Sequence, residues 1–148
     1  MYVLRGDPQR PEVLVLRRGP SGPGVRNAGS WETVHGRVEA GERPEAAALR
    51  ELREETGLAP ARLYNVSRVE AFYEHRGGDL ALIPVFAAFV AADASARLSA
   101  EHDRAEWLVP SEAARRFAWP RERRALEDVL ALFCQGDGGL LDDVLRIC

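Results

Sequence analysis

GRVEAGERPEAAALRELREETGL, residues 36 to 58, is the stretch from which the rest of the chain is read. Within it Glu51, Glu54 and Glu55 stand three and four residues apart, and a period of 3.6 residues brings such positions to one side of a helix. Carboxylates at these spacings repel by roughly a few tenths of a kcal/mol per pair, and near a helix C-terminus they also oppose the macrodipole. Stability alone does not select such a cluster. A local conflict of this kind belongs where function overrides propensity, and clustered oxygen ligands suit a hard cation such as Mg²⁺. The other reading of the three glutamates is a solvated charged face, with Arg43, Arg50 and Arg53 pairing locally.

The flanks define the element. Gly36, Gly41 and Glu42 lie in a turn-rich segment, and Pro44 stands where a first helical turn accepts proline. A helix is expected from Pro44 to Thr56, ended by Gly57 as a left-handed cap. Ala48, Leu49 and Leu52 then face a core while the carboxylates point into a cleft.

These residues carry a resemblance. Gly36, five residues, Glu42, seven residues, Arg50-Glu51-Leu52, one residue, Glu54-Glu55, one residue and Gly57-Leu58 are similar to the Nudix box at every fixed position. Such a coincidence would arise by chance on the order of once in 10⁹ starting points. The segment from Trp31 to Glu42, and Glu101-His102 followed by Trp107-Leu108, resemble the dihydroneopterin triphosphate pyrophosphatase and dATP pyrophosphohydrolase branch of that family. Thr33-Val34-His35 departs from it, since many members carry a proline and a glycine before Gly36.

The resemblance implies an α+β fold, an αβα sandwich with a mixed sheet between helices. It also implies a hydrolase that splits a diphosphate linkage in a nucleotide-like substrate. Mg²⁺, or Mn²⁺, would be bound by Glu51, Glu54, Glu55 and the Gly36 carbonyl. Glu54 or Glu101 would take the proton of the attacking water, and the sequence does not rank the two. Arg50 would orient a carboxylate through a bidentate pair. The expected substrate is a (d)NTP or dihydroneopterin triphosphate, cleaved to a monophosphate and pyrophosphate. ADP-ribose, a dinucleoside polyphosphate or another nucleotide conjugate is the rival within hydrolases, and a nucleotide-sensing module without catalysis is the rival outside them.

Composition narrows the class. With 148 residues, 46% hydrophobic and 29% charged, the chain is expected to form one domain, residues 1–148, around one core. No apolar run approaches the ~20 residues that span a bilayer, and no signal segment opens the chain, so a cytoplasmic location is the expectation. Cys134 and Cys148 have no spacing that suggests zinc. A net charge of -3 argues against a general nucleic-acid surface. A monomer or a homodimer is expected.

In chain order, Met1 to Arg5 and Glu12 to Leu16 read as a hairpin. The first strand looks clipped beside its partner, which suggests a longer native strand than the one beginning at Met1. Arg17 and Arg18 are a solvated strand end or, at Arg18, a cationic contact for substrate phosphates. Gly19 to Ser30 is a surface loop. Trp31 to Val34 is a short strand, with Trp31 as core packing or as a wall for the substrate's base. His35 is a loop residue or a polar contact to substrate.

Leu63 to Tyr73 and Leu80 to Val90 form a second hairpin about Gly77-Gly78, with a bulge or edge position expected at Pro84. Trp107 to Val109 is a strand, Ser111 a helix N-cap, and Pro120 to Cys134 a helix with Leu126, Val129, Leu130 and Phe133 as its apolar stripe.

Overall fold

A computed structural model of the chain describes residues 1–20, 27–133 and 136–148. Strand β2 (Glu12–Arg18) is the axis of the sheet. Its Val13, Leu14, Val15 and Leu16 are all buried, because both faces of the sheet are covered. Side chains alternate along a strand, so Val13 and Val15 enter one core and Leu14 and Leu16 the other.

On one edge of β2 lie β1 (Tyr2–Arg5), opposite Glu12 and Val13, and the two-residue β3 (Trp31–Glu32), opposite Leu16 and Arg17. The other edge carries β6 (His102–Leu108) along nearly its whole length. Beyond β1 the sheet continues through β5 (Asp79–Phe89) to the edge strand β4 (Arg62–Glu74). The β1–β5 pairing is parallel and the rest antiparallel, which makes the sheet mixed.

Helix α1 (Pro44–Thr56) covers one face, burying Leu52 against Leu14, Leu16, Leu63 and Phe86. Burial of one such leucine is worth about 1.5–3 kcal/mol. Helices α2 (Pro110–Arg116) and α3 (Pro120–Phe133) cover the other face, where Leu126, Val129 and Phe133 meet Tyr64 and Phe89. Leu130 packs half-buried beside them. A 3₁₀ turn (Gly139–Leu141) and the short α4 (Asp142–Leu145) bring Ile147 and Cys148 to bond the backbone of Leu63 on the outer edge of β4. The result is an α+β sandwich of three layers.

Two local expectations change. Strand β6 begins at His102 rather than near Trp107, because Asp103 pairs with Arg17 of β2 across the edge and Glu106 with Arg116 of α2. Pro110, not Ser111, opens α2, and the cap position is Val109 with no side-chain cap bond. The bulge or edge position expected at Pro84 is found: pairing on β4 slips between Asn65 and Val69, the partner of Pro84, with Ser67 at φ 54°. Pro84 itself stands where β1 no longer runs beside β5, so its missing N–H breaks no bond on that side. Helix α3 is described to Phe133; the expected end at Cys134, and residues 21–26 of the expected loop, lie outside the described residues. No described helix is long and apolar enough to cross a membrane.

Candidate functional site

Helix α1 starts and stops as its sequence dictates. Pro44 occupies the first turn and Gly57 adopts φ 69° as its left-handed cap, donating its N–H to Arg53 O at 2.9 Å. Two carbonyls of the last turn are taken by the loop before β6: Ser99 N–H reaches Glu55 O at 3.1 Å and Arg97 N–H reaches Thr56 O at 2.8 Å. The loop and the helix are therefore one unit, and the loop delivers Glu101 beside the acidic face.

Arg50 organises the acidic face. Its Nε and Nη2 fork onto the two oxygens of Glu42, each at 3.1 Å, and Nη2 also reaches the Arg37 carbonyl at 2.9 Å. Its Nη1 holds Glu51 at 2.7 Å and Glu54 at 3.2 Å. Glu42 also accepts the Glu39 N–H, and the Arg50 bond followed by this one holds its carboxyl below the usual range. The bidentate pair expected of Arg50 falls on Glu42, and the guanidinium is the cation that Glu51 and Glu54 share in this structure.

Glu55 behaves differently. It is 2% exposed, and neither of its oxygens has a hydrogen-bond partner among the described residues. Burial first, then the charges of Glu51, Glu101 and Glu32, push its carboxyl up to about 8. An orphaned buried carboxylate is a costly object unless something positive meets it. Gly36 completes the corner: a Cβ built on it would fall 1.9 Å from Cδ and Oε1 of Glu51, so the backbone at Gly36 lies directly against that carboxylate. Among the described residues no three carboxylate, imidazole or thiol groups already converge into a cage for an ion. The orphaned Glu55, the adjacent Glu51 and the Gly36 backbone nevertheless supply hard oxygen donors of the kind a divalent cation takes.

A cleft of about 450 Å³ opens beside this corner. Val34, Val38, Ala47, Ala48, Ile83 and Phe86 give it apolar walls, and His35, Gly36 and Glu51 join them. An apolar cavity of this size with a few polar groups on one side is the usual form of a small-molecule site.

The expected substrate residues part company here. His35 lines the cleft and packs its Nδ1 on Thr33 O at 3.1 Å. Arg18 is neither a solvated strand end nor free: its Nε bonds Glu32 at 2.7 Å, and its Nη1 stands 3.8 Å from Glu101. Trp31 is outside the site. Register pairs it with Arg17, on the face opposite α1, where it packs on the core under α2 and α3 with the guanidinium of Arg116 4.8 Å from its ring. The base-wall role is thereby corrected to packing. Side-chain alternation between Trp31 and Glu32 is the reason.

Two residues here, Glu32 and Glu122, have no counterpart in the sequence reading. Glu32, fully enclosed, accepts from Arg18 and lies 3.4 Å from His102 Nε2. Although burial pushes its carboxyl up, His102, His35 and Arg18 together hold it below the usual range. His102, which the sequence reading names only beside Glu101, is itself buried. Glu122 of α3 accepts the Thr33 N–H at 3.1 Å and anchors the segment leading to Gly36; burial raises it to about 7. The signal for Glu32 was a charged residue entering an otherwise apolar strand.

Known proteins share the fold. The NUDIX domain family profile matches residues 1–129. An octanoyltransferase of Myxococcus xanthus is 39% identical over 113 residues, 72% of this chain, and the chain spans about 29% of that relative's length. Among solved structures, the dihydroneopterin triphosphate pyrophosphohydrolase of E. coli is 25% identical with a TM-score of 0.68, covering 88% of this chain and 92% of that one. An Ap4A hydrolase of C. elegans shares the fold at 22% identity and a TM-score of 0.70, over 88% of this chain and 91% of that one. A NUDIX hydrolase of Listeria monocytogenes does so at 18% and 0.73, over 99% and 95%. With its box intact and the family profile matching residues 1–129, the chain belongs to the NUDIX domain family.

Proposed function

We propose that the enzyme cleaves the diphosphate linkage of a nucleotide-like triphosphate, a (d)NTP or dihydroneopterin triphosphate, to a monophosphate and pyrophosphate. The observation that carries this is the meeting, in one corner, of the orphaned Glu55, the Glu51 carboxylate against the Gly36 backbone, and the apolar cleft. Likeness to the E. coli dihydroneopterin triphosphate pyrophosphohydrolase supports the choice of substrate.

Glu51, Glu54, Glu55 and the Gly36 carbonyl would hold Mg²⁺ or Mn²⁺. Such an ion neutralises phosphate oxygens and lowers the pKa of a water. The chain's own residues do the rest. The cleft receives the ring system through Val34, Ala48, Ile83 and Phe86 and keeps bulk water from it. Arg50 positions Glu51 and Glu54. Glu54, 59% exposed, or Glu101, 64% exposed, takes the proton of the attacking water as its oxygen bonds to phosphorus and the bridging P–O bond breaks.

The test is release of pyrophosphate and phosphate with Mg²⁺ over dNTPs, NTPs, dihydroneopterin triphosphate, ADP-ribose and diadenosine polyphosphates, beside Glu54→Gln. A triphosphate is expected to yield pyrophosphate, with Glu54→Gln folded and slower by ~10² or more. Turnover of ADP-ribose or a dinucleotide alone would remove the triphosphate preference. Unchanged turnover in Glu54→Gln would remove Glu54 from the assignment.

A further inference from the structure

We propose that Glu32 is a positioning residue that aims the Arg18 guanidinium at the substrate's diphosphate, with His102 beside the same carboxylate oxygen. The inference rests on the reading of the cleft as a diphosphate site.

Glu32 stands opposite Leu16 in the β2–β3 ladder, and Leu16 belongs to the core under α1. An apolar side chain would satisfy that core at no electrostatic cost. A buried ion pair, by contrast, seldom repays the desolvation of its two charges. The pair at this position is nevertheless built with care. Arg18 Nε donates to Glu32 Oε1 at 2.7 Å, and His102 Nε2 lies 3.4 Å from the same oxygen. Glu32 is 0% exposed and His102 4%. Gly19 N–H bonds Glu101 O at 2.8 Å, which ties the strand end after Arg18 to the residue before His102.

What this arrangement leaves over is the working end of the guanidinium. With Nε committed to Glu32, Nη1 and Nη2 still carry N–H groups without a close acceptor. Nη1 stands 3.8 Å from Glu101, too far for a hydrogen bond, and Nη2 makes only a 3.4 Å contact to His35 Nε2. His35 itself lines the cleft beside Gly36 and Glu51. Two coplanar nitrogens, on a group held through Nε and only lightly engaged at Nη1 and Nη2, match the oxygens of a phosphate. Without Glu32 the long arginine stem would sample many rotamers, and each binding event would have to order it anew.

The test is a double-mutant cycle on the full chain: Glu32→Gln, Arg18→Ala and the two combined. KM for the best triphosphate and, independently, the calorimetric Kd for inorganic pyrophosphate with Mg²⁺ are measured. Each single variant is expected to raise both on the order of tenfold, with kcat within about threefold. The combined variant should bind no worse than Arg18→Ala, because Glu32 acts only through Arg18. Arg18→Lys should not restore binding, since an ammonium cannot both pair with Glu32 and present a fork. If Glu32→Gln fails to fold, His102→Gln gives a smaller rise that must likewise vanish in the Arg18→Ala background.

Multiplying effects in the combined variant, or an unchanged Kd for pyrophosphate in folded Glu32→Gln, would overturn the proposal. Should no substrate in the panel turn over, the functional reading fails, and the pyrophosphate titration still decides whether Glu32 and Arg18 are coupled.

Discussion

Arg50 and Glu42 meet as fork and fork, Nε and Nη2 of the one each 3.1 Å from an oxygen of the other. The contact joins the loop after Gly36 to the middle of α1, and the third nitrogen of the same group carries Glu51 and Glu54. Lysine has one point charge and no fork. Arg50→Lys is therefore expected to lower kcat/KM on the order of 10²-fold while the protein stays folded, as steady-state kinetics beside a thermal melt would show.

Gly36→Ala places a methyl group within the carboxylate of Glu51. Either the loop retreats or Glu51 turns away, at a cost of roughly 1–3 kcal/mol in stability. Calorimetric titration with Mn²⁺ is expected to show weakened binding. Wild-type affinity would mean that the two groups are not joint ligands.

Glu55 gives the metal-free protein a pH dependence of known sign. Its folded value, about 8, lies above the ordinary 4.5. The stability tied to its neutral form is present below about 4.5 and is lost as pH rises to 8. Glu55→Gln removes that loss. In chelator, the variant should gain on the wild type across this window by roughly a few kcal/mol, at ~1.4 kcal/mol per unit. Denaturant titrations at pH 5 and pH 8 check it; equal differences at the two values would contradict it.

Trp31→Ala separates packing from binding. The ring lies among Arg17, Arg104 and Arg116 on the face away from α1. Loss of its half-buried surface and of cation–π contacts worth about 0.5–1 kcal/mol each is expected to lower stability by roughly 2–4 kcal/mol. KM should stay put. A severalfold rise in KM in the folded variant would return the indole to the site.

What the sequence made legible was local. Pro44 and Gly57 mark α1 because each has a backbone preference that acts within one turn, and the stripe of α3 follows from a period. The two-sided burial of β2 was likewise written in its unbroken run of Val and Leu. The box residues could be placed on one face for the same reason. Arg17 and Arg18 could not be told apart from sequence, because their fates depend on a register slip near the end of β2: one turns out to Asp103 and the other in to Glu32. Pairings between residues 14 and 70 positions apart leave no local periodicity. The opposite facings of Trp31 and Glu32 were equally hidden, since a two-residue strand is too short to show alternation.

The bonds from Arg97 and Ser99 to the last carbonyls of α1 bear on how the enzyme can be rebuilt. A segment swapped in from a relative to change preference must bring a backbone that still meets Thr56 and Glu55, or the graft will fray the helix it was meant to leave alone. The transferable part is the loop and the final helical turn together. Recombination that cuts between Gly57 and Ala91 separates two halves of a single joint, and chimeras broken there should express as poorly ordered proteins even when every glutamate is retained.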